Sequence, residues 1–180
     1  MQRENESDDG SQKVAVITGS SKGIGKAIAI EFAKEGYKIV LIARDEDELI
    51  EAVNDVKKTI GTNEERVTYS VGDISQENVC ISLIEHTIKV FGRIDVLVNN
   101  AGIEDASKKG QELTSDEWDY VIDVNLKGAF LCMREAIKKM SYGDKSTRKT
   151  YSIINISSVL NPFHNRNQYP TLPQKEAWKC

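Results

Sequence analysis

The stretch Val14-Ala15-Val16-Ile17-Thr18-Gly19-Ser20-Ser21-Lys22-Gly23-Ile24-Gly25 constrains this chain more than any other. A β-branched run stops at a Gly-rich turn, and the turn opens into an apolar-periodic helix through Ile24, Ala27, Ile28 and Ala33. A strand, a tight turn and a helix in that order make a seat for a dinucleotide diphosphate. Glycine lets the backbone approach phosphate and permits positive φ. The first amides of the helix and its positive end then face the anion. The spacing is Gly-x-x-x-Gly-x-Gly, not Gly-x-Gly-x-x-Gly, so the turn alone also fits an ordinary Gly-rich strand-to-helix connection. No Gly-Lys-Ser/Thr closes it, which argues against a P-loop phosphotransferase.

The rest of the chain repeats the unit. The 180 residues suffice for one domain with a sizeable core. Apolar runs at Lys38–Ala43, Arg66–Val71, Ile94–Val98 and Tyr151–Ile156 predict four more strands after Lys13–Ile17. Helical stripes lie between them. The second helix, Asp45–Ile60, carries Leu49, Val53, Val56 and Ile60, and the third, Gln76–Phe91, carries Ile81, Ile84, Ile88 and Phe91. Thr114-Ser115-Asp116-Glu117 is a capping box ahead of Trp118, Val121 and Ile122, and a further helix bears Leu126, Phe130, Met133, Ile137 and Met140. Such alternation predicts an α/β fold, a doubly wound parallel sheet with its ligand at the carboxyl ends of the strands. Residues 1–12 read as a disordered tail and 141–150 as a solvated connection.

Composition removes other classes. The net charge of −4, with no basic stripe, disfavours nucleic acid as a partner. No apolar run approaches a membrane span, and the acidic N-terminus lacks a signal-peptide core. Cys80, Cys132 and Cys180 are scattered and odd in number, so they read as reduced thiols of a cytoplasmic protein, with no disulfide frame. No metal site is expected, and His86 and His164 read as ordinary surface or core residues.

Asp73, Asn99-Asn100-Ala101-Gly102 and Ser157-Ser158 each follow a predicted strand. Singly these are turn residues. Together with Thr18-Gly19-x-x-x-Gly23-Ile24-Gly25, Val124-Asn125-Leu126-x-Gly128 and Asn155-Ile156-Ser157-Ser158, they resemble the short-chain dehydrogenase/reductase family from about residue 13 to residue 160. The resemblance implies a Rossmann fold and hydride transfer between NAD(P)(H) and a small alcohol or carbonyl substrate, in proteins whose full-length forms are homo-oligomers. It implies that Gly19, Gly23 and Ile24, with Ser21 in the same turn, border the cofactor diphosphate. Asp73 would bond the adenine edge, and Asn100, Ala101 and Gly102 would line the ribose and nicotinamide side. Asn125 would hold a relay water, and Ser158 would orient the substrate oxygen.

Cofactor choice follows from charge. An acid at the end of the second strand would bond the ribose 2′-OH of NAD. Ala43 stands there instead, followed by Arg44, and Lys22 points to the same pocket. Two cations and no acid favour a 2′-phosphate, hence NADP, with NAD the alternative if Asp45 supplies the acid.

The family's acid/base, a Tyr four residues before a Lys, is missing in frame. Tyr169 and Lys175 are six apart, and Pro170 and Pro173 forbid a helix presenting both. Back-translating residues 169–180 with free choice of wobble bases and starting two bases later gives Pro-Tyr-Thr-Ala-Ser-Lys-Gly-Gly-Met-Glu-Val. The restored Tyr falls thirteen places after Ser158, close to the family spacing. The expectation is therefore a frameshifted, prematurely ended family member. It would have a dinucleotide-binding domain over 13–160, an aberrant tail over 161–180 and impaired turnover. A non-catalytic dinucleotide-binding or interaction protein is the other reading. A truncated sheet would also leave the fifth strand at an edge and apolar helix faces bare.

Overall fold

The structure is a computed structural model, described here for residues 12–61, 64–103, 112–140 and 150–157. Its elements in chain order are β1 (Val14–Thr18), α1 (Gly23–Lys34), β2 (Lys38–Ala43), α2 (Glu46–Ile60), β3 (Val67–Val71) and α3 (Glu77–Phe91). They continue with β4 (Val96–Asn99), α4 (Ser115–Ile122), a π-helical turn (Asp123–Gly128), α5 (Ala129–Met140) and β5 (Ser152–Asn155). All strand pairs are parallel, in the order β3-β2-β1-β4-β5. The order reverses between β1 and β4, which opens a crevice at their carboxyl ends.

Side chains alternate across β1 and build two cores. Val14 and Val16 pack with Val40, Ile42 and Leu97 beneath α3 and α5, against Leu83, Ile84, Leu131 and Ala136. Ala15 and Ile17 pack with Ile39, Leu41 and Val98 beneath α1 and α2, against Ala29, Ala33, Leu49 and Val53. Central strands covered on both faces must be apolar throughout, as β1 is. The two edge strands are less covered: β3 buries only Val67, and β5 is exposed or half-buried along its length.

Two helices bury stripes that overlap the expected ones only in part. In α1 the buried residues are Gly25, Ala29 and Ala33, while Ile24 is 63% exposed and Ala27 is also exposed. In α3 they are Cys80, Leu83, Ile84 and Thr87, with Ile81, Ile88 and Phe91 only partly buried. In α1 small residues occupy the contact line and Ile28, Ile30 and Phe32 pack at its margin, whereas in α3 Leu83 and Ile84 are fully buried and Ile88 and Phe91 pack against the same core.

The cysteines, distant in sequence, are not all distant in space. Cys80 of α3 and Cys132 of α5 are buried free thiols with their Sγ atoms 3.5 Å apart. The contact lowers the pKa of Cys80, while the contact and burial push that of Cys132 well up. The His86 ring shares a hydrogen bond with the Thr68 hydroxyl, at 3.1 Å.

Asp95 ties the opposite end of the sheet. Its carboxylate is buried and accepts from the Val14 amide at 2.8 Å and from the Arg93 guanidinium at 2.6 Å. Among the described residues no helix is long and apolar enough to cross a membrane.

Candidate functional site

The crevice at the switch point is a cleft of about 670 Å³. Of the expected site residues, Gly19, Ser21, Lys22, Arg44, Asp73, Asn100, Ala101 and Gly102 line it. Gly23 and Ile24 are exposed at the start of α1, and Asn125 is buried behind the wall. Ser158 lies outside the described residues, as do Tyr169 and Lys175.

The glycines of the first turn do different jobs. Gly19 has φ +62°, and a Cβ there would come within 2.6 Å of the Ala101 backbone. Gly25 is pressed against the Gly19 carbonyl and the Asn100 amide. Gly23 has φ +57° with nothing within 4 Å of its would-be Cβ. Two glycines therefore close the turn, and the third leaves its outer side open. The α1 N-terminus carries no side-chain cap and no acid in its first turn. Its amide donors are thus not matched by a local carboxylate, a condition suited to an external anion.

Thr18 and Asn100 lock the turn to the loop after β4. The Thr18 hydroxyl donates to the Val98 carbonyl at 3.3 Å and accepts from the Asn100 and Ala101 amides, each at 3.0 Å. The Asn100 side chain donates to the Thr18 and Gly19 carbonyls at 3.0 and 2.9 Å. Asn100 thus lines the cleft, while its amide holds the two loops together and leaves Ala101 and Gly102 at the surface of the wall.

Asn125 sits in the π-helical turn, which adds a residue between α4 and α5 and redirects side chains. It accepts from the Ile103 amide at 2.7 Å and donates to the Ile103 carbonyl at 2.8 Å. Gly128 ends the turn against Ile74, whose carbonyl would be 2.8 Å from a Cβ at that position.

At the far end of the cleft the charges are paired. Glu48, in the first turn of α2, accepts from Lys22 at 2.7 Å and from the Ser21 hydroxyl at 3.1 Å. Lys22 and Ser21 hold the Glu48 carboxyl below its ordinary pKa, and Glu48 raises that of Lys22. Asp45 caps α2 by accepting from the Glu48 amide at 2.9 Å. Arg44 Nη1 donates to the Tyr120 hydroxyl, which donates to Asp73 Oδ2 at 3.1 Å, while Asp73 Oδ1 accepts from the Ser75 amide at 2.9 Å. The expectation of two cations and no acid is corrected here. Lys22 and Arg44 share the lining with the carboxylates of Asp45, Glu48 and Asp73. Glu48 and Tyr120 were not among the expected site residues. Nothing in the charged start of α2, or in a tyrosine on a short helix, signals a contact across more than twenty positions.

A family model described as short chain dehydrogenase matches residues 13–171. The chain belongs to the short-chain dehydrogenase/reductase family. The matched span runs on past residue 160, where the sequence reading ends the domain. The chain is 36% identical over 148 residues to a 3beta-hydroxysteroid dehydrogenase of Mediterraneibacter gnavus, covering 82% of this chain and 50% of that protein. It is 36% identical over 156 residues to the 3-oxoacyl-(acyl-carrier-protein) reductase of Staphylococcus aureus, covering 87% of this chain and 60% of that one. It thus spans about half to three fifths of the length of these curated relatives. Among solved structures, the L-sorbose reductase of Gluconobacter frateurii, complexed with NADPH and L-sorbose, matches with TM-score 0.81 and 34% identity, over 93% of this chain and 60% of that one. A metagenomic short-chain oxidoreductase in complex with NADP matches with TM-score 0.73 and 34% identity, over 83% and 63% of the two chains. These likenesses agree with the Rossmann architecture of the sheet, which is incomplete beside the full-length relatives.

Proposed function

We propose that the cleft binds NADP(H), and that the whole protein belongs to an oxidoreductase acting between an alcohol and the corresponding carbonyl compound. One observation carries the binding part: the Gly-rich turn that leads into the uncapped start of α1 lies at the sheet's switch point, and its Gly19, Ser21 and Lys22 line one cleft with Arg44. Asp45, the acid that would favour NAD, is committed to capping α2. The two NADP-bound relatives support the same choice.

The α1 amides would hold the diphosphate, Asp73 the adenine edge, and Lys22, Ser21 and Arg44 the 2′-phosphate. When bound, the nicotinamide supplies or takes up hydride. Asn125, fixed on Ile103, is a positioning residue behind the wall, and Ser158 would orient the substrate oxygen. On this reading the proton-transfer pair would be restored by a shifted frame across residues 169–180, and this chain would bind the cofactor with weak or absent turnover. Non-catalytic binding is the second reading, favoured by Pro170 and Pro173 between and beside Tyr169 and Lys175.

Two measurements test this. Fluorescence titration of the folded chain with NADPH should give saturable one-to-one binding tighter than that of NADH. Folded chain that binds neither coenzyme refutes the proposal. Sequencing the gene should show codons for residues 169–180 that yield Tyr and Lys in the second frame, and codons that do not would end the frame argument. Full activity on carbonyl substrates would contradict the impaired turnover.

A further inference from the structure

We infer that Glu48 is an internal counter-ion of the 2′-phosphate subsite and sets how strongly the cleft discriminates NADP(H) from NAD(H). The inference rests on the dinucleotide reading above and adds a residue to it. Three side chains could take the extra phosphate: Ser21, Lys22 and Arg44. Glu48 holds two of them, at 3.1 Å through the Ser21 hydroxyl and at 2.7 Å through the Lys22 ammonium. A carboxylate with two acceptor oxygens presents to these donors the same kind of contact that a phosphate would. Glu48 also lines the cleft itself, so an arriving 2′-phosphate would meet both its donors already engaged and a negative charge beside them.

The consequence is competition at one end of the ligand. A 2′-phosphate must displace Glu48 from Lys22 and Ser21 or share them against its charge. A ribose with a free 2′-OH faces no such repulsion. Glu48 therefore lowers affinity for the phosphorylated cofactor while leaving the other nearly unaffected. It also preorganises the subsite, because it keeps the Lys22 side chain at the cleft when no ligand is there. The pair is exposed, with Lys22 76% and Glu48 41% accessible, so the competition is screened by salt.

The test uses the full chain and two fragments that fill only the adenosine end, 2′,5′-ADP and 5′-AMP, with calorimetry at low ionic strength. Glu48→Gln removes the charge and keeps the shape. It should tighten 2′,5′-ADP about tenfold, the scale of one charge-assisted contact, and leave 5′-AMP within about twofold. The gain should shrink toward nothing at ~0.5 M salt. In a Lys22→Gln background the same change at Glu48 should give a smaller gain, because one of the two contested donors is gone while Ser21 and the repulsion remain. An unchanged or weakened affinity for 2′,5′-ADP in Glu48→Gln, with wild type binding normally, overturns this inference and leaves the dinucleotide reading standing. An equal gain for 5′-AMP also overturns it. If folded wild type and variant bind neither fragment, the dinucleotide reading falls and takes the inference with it.

Discussion

Gly19 and Gly23 share a backbone conformation and differ in surroundings, so replacing each by alanine separates two effects. Both sit in the left-handed region, at φ +62° and +57°. That conformation costs an L-residue about 1–2 kcal/mol. The loss of backbone freedom in the unfolded chain returns about 0.4–1 kcal/mol. Gly23→Ala, whose methyl meets nothing within 4 Å, should therefore lower stability by about 0–1.6 kcal/mol. Gly19→Ala drives its methyl to 2.6 Å from the Ala101 Cα, a backbone atom that cannot swing aside. Overpacking of that kind adds about 1–3 kcal/mol, for a total of about 1–4.6 kcal/mol. The difference between the variants is the overpacking contribution alone. Urea unfolding followed by far-ultraviolet circular dichroism, with equal slopes for the two variants, reads that difference directly. Costs equal within about 0.5 kcal/mol would refute the packing argument. Binding should rank the other way relative to stability. Gly23→Ala should lose NADPH despite remaining folded, because its methyl enters the space left open for the diphosphate.

Other consequences follow from single contacts. Thr18→Val removes the hydroxyl that accepts from both the Asn100 and Ala101 amides, and should cost about 2–4 kcal/mol in chemical denaturation despite its matched shape. Asp95→Ala strips the buried partner from the Val14 amide and Arg93, and should cost about 3 kcal/mol with NADPH affinity unchanged in the protein that remains folded, since it lies at the opposite sheet end. Lys26 lowers the pKa of Asp55, and Lys138 together with Arg134 lowers that of Glu135. Their stabilisation is therefore present above the ordinary carboxylate values of 3.8 and 4.5 and is lost as pH falls through the depressed ones. The melting-temperature advantage of wild type over Asp55→Asn/Glu135→Gln should hold from pH 7 to about 5 and shrink progressively as pH falls below about 4. In native chain, Cys80 and Cys132 should resist alkylation that both accept after unfolding, as peptide mass mapping would show.

Much of this arrangement was legible in the residues. β2 runs over the predicted Lys38–Ala43, because a continuous apolar run between Gly36 and the Asp45 cap admits little else. The switch-point cleft followed from alternating strands and helices, and eight of the expected residues line it. Periodicity failed where contact lines are made of small or weakly polar residues. Gly25 packs under Asn100, so α1 does not advertise its buried side by size, while in α3 Cys80 meets Cys132 beside the buried Leu83 and Ile84. Sequence spacing also could not reveal that Glu48 folds back onto Lys22, or that Tyr120 bridges Arg44 and Asp73, since both contacts exist only after α2 and α4 have docked. The π-helical turn at Asn125 hid within what reads as helical apolar spacing.

The most direct test of the account is the amide spectrum of isotope-labelled chain during titration with NADPH. The account predicts saturable shifts at the amides of Gly23, Ile24 and Gly25, together with Asp73 and Gly102, and none at the Asp95 end of the sheet. A folded chain whose α1 amides stay fixed while NADPH binds elsewhere, or does not bind, would contradict it.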